Sequence, residues 1–341
     1  MGVRLLHTAD IHLGALRRLD VPFQWKLDRY KGILEFIFTT ARKKNVDYVV
    51  IAGDIYDHKD PHPKVRDIFL EALLKYDERP IVIIPGNHDE LESGYTNLHN
   101  LAILQRDKRL PHVFFTETKP RILHMPRCTF VLVPCTEDDT GYGRMVDRLI
   151  RKVEGDNPVV VVGHEMVAGV TDDSGWKARK GVRIKKNDRV TYWAMGDIHK
   201  RQPLSGLKNA WYPGSPAQHK FSELPNKGVL LVDLDHPTRP KLIKNNHPKV
   251  KKLVALETDD PKDLEQVETD SWVHLKTSNI EAMRSWRGDL VRSTPRKMPK
   301  AEVQKIETND PLTGLGRWLQ ERVGFDEEKA NRAVDIARGL V

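Results

Sequence analysis

The stretch VDYVVIAGDIYDHKD, residues 46–60, decides the fold class of this chain. Its unbroken apolar run, Tyr48–Ala52, is followed at once by Gly53 and Asp54. Continuous runs rich in β-branched residues are typical of strands that are buried on both faces of a sheet. In sheets covered by helices, ligands collect beyond the strand ends. The stretch therefore predicts a buried strand that places a carboxylate in a functional site.

Four other short polar clusters follow apolar runs in the same manner. Their carboxylates, imidazoles and single amide are ligands that hard and borderline metal ions accept. One cluster of this kind occurs in many proteins, but five in sequence order indicate a single dinuclear metal site built from distant segments. The other four are Asp10-Ile-His12, Gly86-Asn87-His88-Asp89, Gly163-His164 and Gly196-Asp197-Ile-His199.

Length and composition limit the class of protein. The 341 residues are enough for one large domain and one smaller domain. No apolar run has the length of a membrane span, and the first residues lack the pattern of a signal peptide. We therefore expect a cytoplasmic protein with no membrane partner.

The charge of the chain is basic. It carries 56 Lys and Arg residues against 48 Asp and Glu residues, for a formal net charge of +8. This excess is compatible with a phosphate-rich partner, but many basic proteins bind no nucleic acid. Basic residues crowd the segment between the fourth and fifth clusters, residues 177–189. We expect this segment to contact a phosphate backbone, and the alternative is a solvated surface.

The order of strand and helix patterns predicts the domain organisation. Residues 1–235 alternate apolar strands with amphipathic helices, which predicts a sheet covered on both faces. Residues 236–250, rich in Pro, Asn and Lys, are predicted as a linker. Residues 251–308 are predicted as a small α+β domain with a helix over 280–292. Residues 309–341 are predicted as a helical tail, whose apolar stripe packs on its own domain or docks on a partner protein.

Seven sequence blocks carry a resemblance to a known family. They are HTADIHLG, IAGDIYD, IPGNHDE, VVGHE and AMGDIHKRQ, followed by WYPGSPAQHKFSE and KGVLLVDL. In this order they resemble the meiotic recombination 11 (SbcD) nucleases, which belong to the calcineurin-like metallophosphoesterases. The resemblance covers about residues 1–233. It implies an α/β fold, a four-layer metallophosphoesterase β-sandwich flanked by helices, with a small α+β cap domain that binds DNA and a C-terminal helical tail.

The same resemblance implies a set of metal ligands, carried over motif by motif. The first ion would be held by Asp10, His12, Asp54 and His199. Asp54 would bridge to a second ion, which Asn87, His164 and Asp197 would complete. The implied cofactor is two Mn²⁺ ions, with Mg²⁺ as the alternative, because the ligands mix oxygen and nitrogen.

Two further residues are assigned to catalysis. By resemblance, a hydroxide that bridges the ions attacks the phosphorus while His88 acts as the acid for the leaving oxygen. Asp57 is expected to orient His88 and to favour its protonated form, with His58 as the competing candidate for that role. Asp89 is expected to shape the turn instead of binding a metal.

The fifth cluster departs from the family pattern. The usual sequence there is Gly-His-x-His, whereas this chain has Gly196-Asp197-Ile-His199. A carboxylate can replace an imidazole as a ligand, but Asp is shorter than His and its oxygen then reaches less far. Three outcomes remain open on the sequence alone: a working variant site, an impaired second metal position, or loss of catalysis.

The leading functional hypothesis is a DNA nuclease in double-strand-break repair or recombination. By resemblance it would be an exonuclease on duplex ends and an endonuclease on single strands or hairpins. It would act as a homodimer with an SbcC-type coiled-coil ATPase bound to the tail, in a prokaryotic or phage-infected cell. The alternatives are a DNA-end-binding scaffold with a disabled site and another metal-dependent phosphodiesterase or phosphomonoesterase. The candidate contacts to DNA are Arg17, Arg18, Lys59, Lys177, Arg179, Lys200 and Arg201.

Overall fold

A computed structural model describes residues 2–17, 19, 21–76, 79–91, 94–135, 141–268, 271–277 and 289–295, and positions 320, 326, 327, 330, 331 and 334 near the C-terminus. The chain divides into two compact units, Met1–Thr294 and Pro295–Val341. The predicted helical tail therefore lies almost entirely outside the described residues.

The strands and helices of the described residues follow one another in this order along the chain. They are β1 (Arg4–Thr8), α1 (Phe23–Lys44), β2 (Tyr48–Ala52), α2 (Pro63–Lys75), β3 (Ile81–Ile84), α3 (His99–Arg106), β4 (Val113–Phe115), β5 (Arg121–Met125), β6 (Cys128–Val133), α4 (Tyr142–Ile150), β7 (Val159–His164), β8 (Tyr192–Gly196), β9 (Gln202–Leu204), β10 (Leu207–Tyr212), β11 (Gly228–Asp233), β12 (Lys241–Lys244), β13 (Leu253–Glu257), α5 (Pro261–Glu265), β14 (Trp272–Thr277) and β15 (Asp289–Pro295).

Two six-stranded sheets form the main part of the described fold. The first has the strand order β12-β11-β1-β2-β3-β4, and the second has the order β5-β6-β7-β8-β10-β9. Strands β1 to β4 are parallel to one another, as are β6, β7 and β8. Parallel strands require crossover connections, and the helices α1, α2 and α3 supply them in the first sheet. The carboxyl ends of the parallel strands therefore meet along one edge of each sheet.

Central strands such as β2 are buried on both faces because their alternate residues enter different cores. In β2, Val49 and Ile51 pack in a core with residues of α1 and α2. Val50 and Ala52 point the other way, into a core shared with apolar residues of the second sheet. This alternation explains why the strand sequences are continuously apolar.

The layers follow from these cores. The helices α1, α2 and α3 cover the first sheet, the two sheets pack against each other, and α4 contributes Tyr142, Val146 and Ile150 to a third core on the outer face of the second sheet. The predicted four-layer β-sandwich flanked by helices is confirmed. None of the helices in the described part of the chain is both long and apolar enough to cross a membrane.

A third sheet, β13-β14-β15, follows along the chain in the region predicted as the small domain. Its residues Leu253 and Trp272 pack against Phe221 and against Leu16 of the loop after β1. Arg29 of α1 lies over the Trp272 ring, 5.6 Å from its centroid. These contacts fix the third sheet beside the loops that carry the polar clusters.

Two predictions about this region differ from the structure. The predicted linker, residues 236–250, contains β12, which pairs antiparallel with β11 at the edge of the first sheet. The helix predicted over 280–292 is wrong at its C-terminal end, because β15 begins at Asp289. Residues 278–288 lie outside the described part of the chain.

Candidate metal centre

The polar clusters converge where strands of both sheets end. Asp10 N–H donates to the Gly53 carbonyl across 3.1 Å, and His12 N–H donates to the Asp54 carbonyl across 3.0 Å. Asp197 N–H, which follows β8 of the second sheet, donates to Asp10 Oδ1 across 2.9 Å. The backbone thus joins three clusters that are far apart in sequence.

The backbone at these positions is strained. Asp10, His12, Asp54 and Asp197 have φ angles of 53°, 47°, 51° and 101°. Positive φ is uncommon for residues other than glycine, and it persists only where the surrounding structure imposes it. Among the described non-glycine residues only Leu16, Asn45 and Lys108 share this property. Strained positions of this kind cluster at functional sites, and here four of seven are candidate metal ligands.

Three glycines let the clusters approach His164. A Cβ atom on Gly53 or on Gly196 would overlap the His164 ring, and a Cβ atom on Gly86 would overlap Asp54 Oδ1. Each glycine directly precedes a ligand candidate. The repeated Gly-Asp and Gly-Asn pairs therefore reflect close packing around one buried imidazole.

Asp10, His12 and His199 form the first group of ligand candidates. One ligand atom from each residue lies within 4.8 Å of the others. The Nε2 atoms of His12 and His199 are 2.9 Å apart. Two nitrogens that bind one ion at about 2.1 Å and at right angles are about 3.0 Å apart, so this spacing suits a shared ion.

Asp54 lies between this group and a second one. Its Oδ2 is 3.4 Å from His12 Nε2, and its Oδ1 is 3.3 Å from His164 Nε2. Burial would raise the pKa of Asp54, but the charge and hydrogen bond of His164 outweigh it and lower the pKa well below the usual range. The carboxylate therefore stays charged, as a bridging ligand requires.

His164 anchors the second group. Its Nδ1 donates to the Ala52 carbonyl across 2.7 Å, which leaves Nε2 to face Asn87 Oδ1 at 3.1 Å. Asp10 and Asp54 complete a group with His164 whose ligand atoms lie within 4.8 Å of one another. Burial opposes a charge on His164, but Asp54 raises its pKa well above the ordinary value.

Asp197 lies at the margin of the second group. Its Oδ1 is 3.9 Å from His164 Nε2, and it belongs to none of the three such groups found among the described residues. Burial raises the pKa of Asp197, which disfavours the charged form that binds metal. The other predicted ligands lie together, whereas Asp197 is held there chiefly by its backbone.

The first group contains a buried carboxylate oxygen that suits a cation. Asp10 Oδ2 is buried and accepts no hydrogen bond from the described residues. A buried carboxylate oxygen without a partner is costly, and a bound cation would satisfy it. Together with the paired Nε2 atoms of His12 and His199, this observation fits a divalent metal ion.

His88 lies beside both groups, but Asp57 does not hold it in the predicted way. The His88 Nδ1 atom donates to the Asp57 main-chain carbonyl across 2.8 Å. The Asp57 carboxylate instead faces His58 Nε2 at 2.9 Å and His12 Nδ1 at 3.4 Å. The predicted contact between the Asp57 carboxylate and His88 is therefore corrected to a contact through the backbone. His88 also shares a group with His12 and Asp54, so the geometry alone permits a role as a ligand.

Asp89 shapes the loop, as predicted. Its carboxylate accepts hydrogen bonds from the N–H groups of Ile55, Tyr56 and Gly86 at 3.1, 2.9 and 2.9 Å. Burial, with the nearby charge of Asp54, raises its pKa to about 6. These bonds fix the loop after β3 against the loop after β2, so that Asn87 and His88 face Asp54.

Sequence reasoning missed two residues around His199. Glu223 Oε1 accepts from His199 Nδ1 across 2.9 Å, and His219 Nε2 donates to the Asp10 carbonyl across 2.9 Å. Carboxylates that hold the second nitrogen of a metal-binding histidine fix its tautomer and orientation. Both residues belong to the block WYPGSPAQHKFSE, which signalled them although no role was assigned there.

The predicted DNA contacts have different surroundings. Lys200 is half-buried, and its Nζ donates to Thr171 Oγ1 and to the Asp172 carbonyl. Arg18 lies outside the described residues. The remaining five are exposed: Arg17, Lys59, Lys177, Arg179 and Arg201.

The sequence comparison defines the class of this protein. Residues 3–201 match the calcineurin-like phosphoesterases, and the chain therefore belongs to that family. The family named from the sequence blocks is confirmed, and it is a family of metal-dependent phosphoesterases.

The individual relatives have low sequence identity to this chain. The chain is 28% identical over 255 residues to the DNA double-strand break repair protein Mre11 of Methanopyrus kandleri, and the aligned region covers 68% of this chain and 54% of that protein. It is 24% identical over 266 residues to the SbcD component of the SbcCD nuclease of Bacillus subtilis, covering 68% and 66%. The SbcD component from Escherichia coli is 22% identical over 292 residues, covering 75% and 71%. The chain thus spans less than two thirds of the first two relatives.

Proposed function

We propose that this chain is a Mn²⁺-dependent DNA nuclease that hydrolyses phosphodiester bonds at a two-metal centre. The observation that carries the proposal is the position of Asp54, whose two carboxylate oxygens face two different imidazoles, those of His12 and His164. This is the arrangement expected of a residue shared by two ions. Two bound ions supply Lewis-acid stabilisation of a phosphate and activation of water.

The donor set supports Mn²⁺. Carboxylates, imidazoles and the Asn87 amide suit Mn²⁺, whereas Mg²⁺ prefers oxygen ligands alone and Zn²⁺ usually takes fewer ligands. Asp10, His12, His199 and the shared Asp54 would hold one ion. Asp54, Asn87 and His164 would hold the other, with Asp197 as its weakest ligand. Mg²⁺ is the alternative ion.

His88 is the residue to which we assign proton donation. Its Nδ1 donates to the Asp57 carbonyl, and this bond fixes the ring orientation and leaves Nε2 for the substrate. A phosphodiester leaving group departs as an alkoxide and needs a proton, which protonated His88 Nε2 would give to the 3′ oxygen. The product would then carry a 5′ phosphate.

The proposed substrate is DNA. The relatives are named as a double-strand break repair protein and as components of a nuclease. Exposed Lys177, Arg179 and Arg201 come from segments adjoining the centre, where they would neutralise backbone phosphates. We propose exonuclease action on duplex ends and endonuclease action on single strands or hairpins, by a homodimer that works with an SbcC-type coiled-coil ATPase bound through the tail.

The test uses the purified chain with end-labelled DNA and Mn²⁺. We expect shortening of duplex DNA from its ends and cleavage of hairpin loops, both abolished by a chelator and by Asp54→Ala. A parallel reaction with bis(4-nitrophenyl) phosphate measures phosphodiester hydrolysis without DNA recognition. Hydrolysis of that small ester without DNA cleavage would favour another phosphodiesterase and contradict the nuclease proposal.

One observation favours a second candidate, a DNA-end-binding scaffold with an impaired site. Asp197 Oδ1 lies 3.9 Å from His164 Nε2 and outside the ligand groups, so the second ion has one strong ligand fewer. Binding of duplex ends without cleavage in saturating Mn²⁺ would establish the scaffold and exclude the nuclease.

A further inference from the structure

The segment between β7 and β8 presents a tryptophan on a small turn, residues 171–177, which we name the Trp176 turn. The Trp176 side chain is 55% exposed. Lys177, Arg179 and Lys180 follow it and are also exposed. A single exposed apolar side chain needs no explanation by itself, so the surroundings of this one decide its meaning.

The turn is rigidly built. Thr171 and Lys177 pair as an antiparallel bridge, and Asp172 N–H donates to the Trp176 carbonyl across 3.0 Å. The Asp172 carboxylate accepts from Ser174 N–H at 2.9 Å and from Trp176 N–H at 3.0 Å. Both main-chain groups of Trp176 are therefore fixed, and the fold holds the indole in an exposed position.

A buried lysine joins the turn to the metal centre. Lys227 Nζ lies 2.7 Å from Asp173 Oδ2, 3.1 Å from Glu223 Oε2 and 2.9 Å from the His199 carbonyl. The Lys227 and Asp173 side chains are only 7% and 8% exposed. Since Glu223 also binds His199 Nδ1, Asp173 is connected to a metal ligand through Lys227 and Glu223.

Two residues shortly after His199 hold the same turn. Lys200 Nζ donates to Thr171 Oγ1 at 3.3 Å and to the Asp172 carbonyl at 3.2 Å. The Gln202 side chain accepts from Thr171 N–H at 3.0 Å and donates to the Thr171 carbonyl at 2.6 Å. Lys200 therefore positions the turn, in addition to the DNA contact predicted for it from the sequence.

The charge around the indole is positive. The Asp173 carboxylate is paired with Lys227, whereas the Asp172 carboxylate keeps its charge and accepts main-chain N–H groups of the turn at Oδ1. The three exposed cations that follow the tryptophan in sequence, Lys177, Arg179 and Lys180, outnumber this carboxylate. An aromatic ring beside cations is the combination that binds single-stranded nucleic acid, because bases stack on the ring while phosphates meet the cations.

We propose that Trp176 stacks on an unpaired nucleobase of the strand whose backbone lies at the metal centre. This inference rests on the proposed function as a DNA nuclease and specifies its substrate. A base inside a duplex is covered on both faces by its neighbours, so the turn selects single strands and frayed ends. Lys177 and Arg179 bind the adjacent phosphates, and the link through Lys227 fixes the distance from the stacked base to the ions.

The test measures binding without added metal, so that no cleavage occurs. The probes are a fluorescein-labelled oligothymidylate and a strand of equal length composed of abasic sites. The wild-type protein is expected to bind the thymidylate more tightly. Trp176→Ala should weaken thymidylate binding by about 5- to 150-fold, the range for loss of one stacked base, and should leave binding of the abasic strand unchanged. Trp176→Phe should retain most of the preference.

The control is Leu74→Ala, which removes another exposed apolar side chain. Leu74 is at the C-terminal end of α2, near the edge of the sheet opposite the metal centre. The stacking proposal would be overturned if Trp176→Ala lost affinity equally for both probes or lost none for either. It would also be overturned if the wild-type protein bound neither probe or bound both equally.

Failure of the proposed function has a different signature. A wild-type protein that prefers the thymidylate strand but does not cleave it in Mn²⁺ contradicts the nuclease and retains the stacking site. Asp173→Asn tests the connection to the metal centre, because it loosens the turn without changing the indole. We expect a reduced preference for thymidylate in that variant, with unchanged binding of the abasic strand, and an undiminished preference would exclude the positioning role.

Discussion

Glu223 Oε1 accepts a hydrogen bond from His199 Nδ1 across 2.9 Å, and that bond decides which nitrogen of His199 is available. A neutral imidazole that donates from Nδ1 presents a lone pair at Nε2. That lone pair points towards His12 Nε2, 2.9 Å away. The carboxylate of Glu223 would therefore prepare one half of the proposed first metal position without being a ligand itself.

Replacement of Glu223 by Ala should lower the affinity for the first Mn²⁺ ion about 10- to 100-fold, which is the usual effect of losing such a partner. The Mn²⁺ affinity of Glu223→Gln should lie between those of the wild type and Glu223→Ala, since its amide oxygen still accepts the hydrogen bond. Calorimetric titration with Mn²⁺ measures the effect. Glu268→Gln, a change in an exposed glutamate paired with Lys252, is the control. Unchanged affinity in Glu223→Ala would remove this residue from the metal centre.

Asp54→Ala should abolish binding of both ions, because each oxygen of Asp54 faces a different ligand group. The measurement is the metal-to-protein ratio after gel filtration in Mn²⁺. Asp60→Ala removes an exposed carboxylate of the same loop and should leave the ratio unchanged. Two bound ions in Asp54→Ala would refute the bridging assignment.

His88→Ala should keep both ions but lose about 10²- to 10⁴-fold in the rate of DNA hydrolysis, the usual contribution of a general acid. Single-turnover cleavage of labelled DNA gives the rate, and the metal-to-protein ratio is measured on the same sample. The loss of one ion would show that His88 is a ligand, which its proximity to His12 and Asp54 permits.

Asp197→His should strengthen binding of the second ion. The Asp197 carboxylate lies 3.9 Å from His164 Nε2, and an imidazole extends further from the backbone. The hydrogen bond from residue 197 to Asp10 comes from the main chain, so both Asp197→His and Asp197→Ala retain it. Mn²⁺ titration should show a tighter second site in Asp197→His and only a small loss in Asp197→Ala. A large loss in Asp197→Ala would establish the carboxylate as a full ligand.

A buried histidine away from the metal centre makes stability depend on pH. Burial lowers the pKa of His7 to about 3, below the value of about 6.5 in an unfolded chain. Between these values the unfolded state binds a proton that the native state excludes. The stabilisation is therefore complete above about pH 6.5 and is lost as the pH falls towards 3, by about 1.4 kcal/mol per pH unit from this group.

Urea unfolding at pH 7, 6 and 5 measures this dependence. His7→Asn retains a donor or acceptor near Tyr192, which contacts His7 Nδ1 at 3.0 Å, and removes the titrating ring. We expect a shallower fall in the free energy of unfolding for this variant than for the wild type. His236→Asn changes an exposed histidine and should follow the wild type, and identical slopes for all three would exclude His7 as the cause.

Most of the site could be predicted because its residues follow buried parallel strands. The end of such a strand is visible in the sequence as an apolar run that stops at a polar pair. The sheets bring these strand ends to one edge. The proximity of the ligand candidates could therefore be predicted although they are far apart in sequence, at Asp10, Asp54, Asn87, His164 and His199. Asp10, Asp54 and His164 were all found in this way.

The errors arose where the sequence does not encode which atom makes a contact. Asp57 is near His88, but its N–H donates to the Leu13 carbonyl and its carboxylate faces His12. It is the main-chain carbonyl of Asp57 that accepts the hydrogen bond from His88. Glu223 was missed because it lies on a loop after β10 and follows no apolar run. Strand β12 has the composition of a linker because its four residues begin and end with lysine, a common protection of sheet edges.

The candidate metal centre also joins the two sheets at this edge. Asp10 and Asp54 follow strands of the first sheet, while His164 and His199 come from the ends of strands of the second. Ions bound here would act as a cross-link that resists sliding of one sheet over the other, and ligand binding stabilises the folded state. Without them, the repulsion between neighbouring carboxylates acts on the same seam. Chelation should therefore loosen the sandwich first at this edge, and the ions would then contribute to the mechanical integrity of the protein as well as to its chemistry.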